Sequence, residues 1–178
     1  VRTFVVDNAD ELWKLVPFRR DVRIMLRLSF VAPDAPIDLS RKFGAQPEDA
    51  MELLSVAKHM GLEVDGLCFH VGSQAASATT HSLALRRCFD IAKEAKERSI
   101  ADIIRIDMGG GFPANYTNQP INFHEFCAPI NEVIKSCPAH IQLMAEPGRS
   151  ISAPSMSLVS RVIGRSKRQD NVMWYYLD

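Results

Sequence analysis

"IIRIDMGGGFPANY", residues 103–116, decides how this chain is read. A short β-branched run ends in three consecutive glycines and then a proline. Such a run reads as a buried strand that stops at a turn. Three glycines in a row cost backbone entropy. They mark either a slack turn or a place where something must come very close to the main chain.

The same arrangement repeats on both sides of that stretch. "RTFVVD" reads as a strand, and "NADELWKLV" starts a helix with Asn8 or Asp7 as N-cap. "VRIMLRLSF" is a second strand. "PEDAMELLSVAKHMG" is a marked helix, with Pro47 in its first turn, Glu48 and Asp49 matching the dipole and Gly61 at C′. "VDGLCFHVGS" is a third strand, and "HSLALRRCFDIAKEAKER" a helix burying Leu85, Cys88, Phe89 and Ala92. After the fourth strand, "NFHEFCAPINEVIKSC" predicts a helix bent or started late by Pro129. "IQLMAEPGRS" is the fifth strand. Then the rhythm changes, and "SMSLVSRVIGRSKR" and "NVMWYYLD" read as two strands joined by a turn.

Strands that alternate with helices and are continuously apolar are parallel and covered on both faces. No nucleotide fingerprint follows the first strand, which favours a (β/α) barrel over a doubly wound sheet. A closed barrel has eight strands and about 250 residues. At 178 residues this chain supplies about five strands before it turns into β-structure. The predicted class is α/β, a partial barrel over residues 1–152, with a separate β-domain beginning at 153–178.

Composition excludes some functions. The hydrophobic fraction is 47%, the charged fraction 24% and the formal net charge zero, as in an ordinary globular protein. Zero net charge gives no footprint for nucleic acid or an anionic membrane. No apolar run approaches a membrane span, and no leader is expected, since Val1 leads directly into a strand-like segment. Cys68, Cys88, Cys127 and Cys137 have no zinc or disulfide-framework spacing, so reduced thiols and a cytoplasmic location are expected. No metal site is expected.

Barrel chemistry sits at the C-terminal ends of the strands. Those ends carry Arg27; His70 and Ser73 in "FHVGSQ"; Gly109, Gly110 and Gly111 in "DMGGGFP"; and Glu146, Gly148 and Arg149 in "AEPGRS". Glycine N–H groups can reach phosphate oxygens with no Cβ in the way. Arg149 adds a charged fork and Ser73 a hydroxyl. Glu146 could stay ionised beside a cation and pair with a protonated ring nitrogen. His70 is flat and could lie against a ring. A phosphate, a pyridine nitrogen and a stacked ring describe pyridoxal 5′-phosphate (PLP). Singly, each feature has a plainer reading: a turn, a core histidine, an ion pair, a loop. Together, on consecutive strand ends, they favour a site.

At these residues the chain resembles the ornithine and diaminopimelate decarboxylase group of fold-type III PLP enzymes, whose barrel is like that of alanine racemase. "FHVGSQ", "DMGGGFP" and "AEPGRS" occur in the family's order and at its intervals. "VRTFVVDNADEL", "DLSRKFGA" and "WYYLD" extend the likeness along the chain. The phenylalanine and proline of "GGGFP" lean to the ornithine decarboxylase branch. The resemblance implies that His70 stacks on the cofactor ring and Glu146 pairs with its nitrogen. It implies that Ser73, Gly109, Gly110, Gly111, Gly148 and Arg149 hold the phosphate, with Arg27 close by as a third catalytic residue. Lys42 and Gly44 would lie near a homodimer interface. The three glycines would then admit the phosphate to the main chain.

The family's Schiff-base lysine lies in a Y-A-V-K-like motif on the first barrel strand, and nothing like it occurs here. The family's C-terminal cysteine and acidic residue are not matched either. The chain is therefore expected to be an interior slice of a longer polypeptide, inactive alone. The resemblance implies decarboxylation of a basic amino acid, L-ornithine to putrescine first, in polyamine biosynthesis. Alternatives are diaminopimelate, lysine or arginine decarboxylation, or a non-catalytic protein like the antizyme inhibitors.

Overall fold

The structure, a computed structural model, describes residues 2–37, 39–116 and 120–178. Val1 and Asp38, which open two of the stretches quoted above, lie outside the described residues. Five strands form one parallel sheet: β1 (Thr3–Val6), β2 (Arg23–Leu28), β3 (Val64–Phe69), β4 (Arg105–Asp107) and β5 (Gln142–Met144). Helices α1 (Ala9–Leu15), α2 (Ala50–His59), α3 (Thr79–Glu97) and α4 (Phe123–Ile134) alternate with them. The spatial order is β1-β2-β3-β4-β5, the order of the chain. A doubly wound sheet reverses its order at a switch point. This sheet does not, so it is five successive strands of a barrel wall.

Alternation along the strands separates two faces. Ile24, Leu26, Leu28, Leu67, Phe69 and Ile106 are buried in the core beneath the helices. The opposite face is built in rungs by the register. Met25, Gly66, Arg105 and Gln142 form one rung, and Arg27, Cys68, Asp107 and Met144 the next. A Cβ on Gly66 would meet Met25 Cγ at 2.8 Å, so the glycine makes room for the methionine. The register shift between Ile24 and Met25 leaves Asp65 as an extra residue. Arg105 Nη2 donates to both oxygens of that buried carboxylate, at 2.6 and 2.5 Å. Arg23 stands 4.0 Å from it.

Element ends follow local chemistry. Asn8 is the N-cap of α1 and accepts from Glu11 N at 3.0 Å. Asp7 instead accepts from Gly44 N at 2.9 Å. The turn over Gln46–Asp49 delays α2 to Ala50, so Pro47 precedes the helix. Gly61 takes φ +72° after it, as predicted for C′. Asn122 caps α4, which starts at Phe123 and runs through Pro129, so no late start occurs. Helix α5 (Arg149–Ser152), a four-residue turn, follows the fifth strand unpredicted. The antiparallel pair β6 (Val162–Lys167) and β7 (Met173–Leu177) is present, but residues 156–161 are not strand. No helix among the described residues is long and apolar enough to cross a membrane.

Candidate active site

Two cavities open at the C-terminal ends of the strands. One, of 240 Å³, is lined by His70, Ser73, Gly110, Gly111, Glu146 and Arg149, with Gln74, Phe112 and Gly148. The other, of 250 Å³, includes Arg27, Cys68, His70, Asp107 and Glu146. His70 and Glu146 belong to both. A larger cavity of 580 Å³ lies away from these groups, between α3 and residues 136–141.

The first cavity has the character of an anion cradle. Arg149 Nη2 donates to Ser73 Oγ at 3.3 Å, joining the segments after β3 and β5. Among the described residues, no acceptor takes the N–H of Gly110, Gly111 or Phe112. Arg149 turns to Ser73, and no ion pair joins it to Glu146 among the described residues.

The three glycines are required by the protein itself. A Cβ on Gly109, at φ +63°, would meet the Phe69 carbonyl oxygen, and one on Gly111, at φ +96°, the Gly72 carbonyl at 2.5 Å. On Gly110 it would stand 2.9 Å from both His70 Nε2 and Glu146 O. Their missing side chains let neighbouring strand ends close together. Gly148 differs, because a Cβ there would meet nothing within 4 Å. Gly109 lines neither cavity; its N–H donates to Asp107 Oδ1 at 2.8 Å and its carbonyl accepts from Glu146 N at 2.7 Å.

His70 follows β3 and is half-buried. Gly72 N donates to its Nδ1 at 3.0 Å, so Nδ1 carries no proton and Nε2 faces Gly110. Burial lowers its pKa below the ordinary value, the Arg27 charge lowers it further, and Asp107 opposes. The ring is therefore held neutral. Burial pushes the Cys68 thiol up to about 12 despite the Arg27 charge, so it stays protonated. Arg27 lies with its guanidinium carbon 4.9 Å from the centre of the Phe43 ring, and Lys42 Nζ is 4.8 Å from the same centre.

Sequence reasoning missed three residues here. Asp107 ends β4 and takes the Gly109 N–H. Gln74 donates to Ala114 O at 2.6 Å and accepts from Ala114 N at 3.0 Å, tying the two loops. His81 Nε2 lies 3.0 Å from Gly110 O. Gln74 was within the "FHVGSQ" stretch, and His81 sat on the apolar stripe with Leu85 and Cys88, where a polar residue signals a partner.

The donor set fits PLP: unused N–H groups, a hydroxyl and a guanidinium suit a phosphate, and a neutral ring and a carboxylate stand beside them. Successive parallel strands with this mouth define a β/α-barrel cofactor domain. The chain belongs to the pyridoxal-dependent decarboxylase family, whose pyridoxal-binding domain matches residues 1–153. It is 34% identical to the lysine/ornithine decarboxylase of Selenomonas ruminantium, over 100% of this chain and 45% of that protein. The crystal structure of lysine/ornithine decarboxylase complexed with putrescine from Vibrio vulnificus matches at TM-score 0.82 and 39% identity, over 99% of this chain and 46% of that one. The arginine decarboxylase of Paramecium bursaria Chlorella virus matches at TM-score 0.83 and 28% identity, over 99% and 47%. The chain thus spans about half the length of these relatives.

Proposed function

We propose that this chain forms the cofactor-binding part of a PLP-dependent decarboxylase of basic amino acids, with L-ornithine to putrescine as the preferred conversion. The observation that carries this reading is the meeting of Arg149 and Ser73 beside the unclaimed N–H groups of Gly110 and Gly111. These groups, with Gly148, hold the phosphate, and Gly109 sets the backbone beneath them. His70 would lie against the cofactor ring, and Glu146 would favour a protonated ring nitrogen. Arg27 brings positive charge to the ring cavity. Bound PLP supplies an electron sink for the pair left when the α-carboxylate departs as CO₂.

In this reading residues 1–152 are barrel and 153–178 begin a β-domain, since β6 and β7 pair with each other and not with the parallel sheet. A cytoplasmic enzyme of polyamine biosynthesis fits four cysteines that are all free thiols. A homodimer, with Lys42 and Gly44 near its interface, completes the proposal.

The test is CO₂ release by the full-length protein from ornithine, lysine, arginine and diaminopimelate. The highest kcat/KM is expected with ornithine. A higher value with another of the four would correct the substrate, and no release by PLP-loaded protein would remove the enzymatic reading. Glu146→Ala should lower turnover by orders of magnitude while much of the cofactor stays bound, because the change is electronic.

A further inference from the structure

We infer that His81 is a positioning residue of the anion cradle: it holds the Gly110 carbonyl so that the N–H of Gly111 faces the cavity. The inference rests on the PLP reading above and concerns how the cradle is aimed.

His81 lies in the first turns of α3 and is fully buried. A carbonyl oxygen can only accept, so Nε2, 3.0 Å from Gly110 O, carries the proton. Nδ1 has no partner among the described residues. The ring packs 4.9 Å from the centre of Phe112 and 6.0 Å from that of Phe126, which fixes its plane. A leucine or phenylalanine would fill this space without an orphaned nitrogen, whose burial is costly. What the imidazole adds is the one bond to Gly110.

That bond sets a direction. In a trans peptide the C=O and the next N–H point opposite ways. With Gly110 O drawn toward α3, the Gly111 N–H points away from α3. The same logic applies to its neighbours. Glu146 N holds Gly109 O at 2.7 Å, and Ala75 N holds Gly111 O at 3.0 Å. These turn out the N–H groups of Gly110 and Phe112. The peptide between Gly110 and Gly111 has a glycine on each side, so little in its own sterics resists a flip. His81 supplies that resistance from a rigid helix.

The experiment compares PLP with pyridoxal, which lacks the phosphate, in the full-length protein. His81→Phe should weaken PLP binding about five- to tenfold, the worth of one neutral hydrogen bond. Pyridoxal affinity should not change, and His81→Gln, whose amide reaches the same place, should restore PLP binding. Should His81→Phe fail to fold, His81→Asn takes its place, being polar but too short to reach Gly110. Equal weakening for both ligands, or none for either, would overturn the role of His81. A wild-type protein that binds PLP no better than pyridoxal would overturn the cradle reading, whatever the variants do.

Discussion

At the scale of single residues, the site depends on histidines kept neutral. His70 accepts a backbone N–H at Nδ1, and His81 has an unpartnered Nδ1 with no acceptor for a second proton. Burial is the leading cause of a lowered pKa at both. The unfolded chain, with histidine near pKa 6.5, then binds more protons than the folded one just below that pH. Stability contributed by these groups is complete above about pH 6.5 and is lost as pH falls through the lower folded values. His81→Gln removes one of them. Chemical denaturation at about pH 7 and about pH 5 should therefore show a smaller loss in the variant than in the wild type. Equal losses would contradict a buried neutral imidazole. The roles of Asp107 and His81 were hard to read from the sequence for the same reason. Each acts through a backbone atom of the glycine run, and a backbone partner leaves no motif.

At the scale of elements, the glycine segment and the strand ends around it act as one unit. Gly109→Ala would drive a methyl into the Phe69 carbonyl oxygen at a left-handed backbone, with no flexible group to yield. Loss of soluble full-length protein is expected, and a normally folded variant would contradict the geometry. Gly110→Ala meets the movable His70 ring as well as Glu146 O. It should destabilise the full-length protein, because the Glu146 carbonyl is backbone and cannot swing aside. What folds should lose most PLP affinity as His70 is displaced, measured by denaturation and cofactor titration; unchanged stability and affinity would contradict the placement of these groups. The strands, the four main helices and the final β-pair were legible because apolar spacing and caps fix them locally. The four-residue α5 was not, since "EPGRS" has no helical period. The strand expected from Ser155 began only at Val162, because Leu158 and Val159, apolar as they are, stand exposed and unpaired with the sheet. Pairing, which sequence does not display, decides where such a strand starts.

At the scale of the whole molecule, one sheet face is sealed by helices and the other carries charge. Asp65 is central to the charged face, and Arg105 meets it with one guanidinium nitrogen on both oxygens. Asp65→Ala leaves the largely buried Arg105 guanidinium without its carboxylate. A loss of about 2–4 kcal/mol in unfolding free energy of the full-length protein is expected, somewhat reduced because Arg105 is partly exposed. A loss below about 1 kcal/mol would mean that water replaces the carboxylate. The barrel class was readable from strand–helix alternation and the mouth from the strand ends. The bulge that aims Asp65 inward was not, because register belongs to two strands at once. The central claim is that this mouth holds the phosphate of PLP, and Arg149 tests it most directly. The measurement is the PLP dissociation constant of the full-length protein and its Arg149→Ala variant. Loss of a charged contact at this exposed position should raise the constant about tenfold and leave pyridoxal binding unaltered. An unchanged constant for PLP would contradict the account.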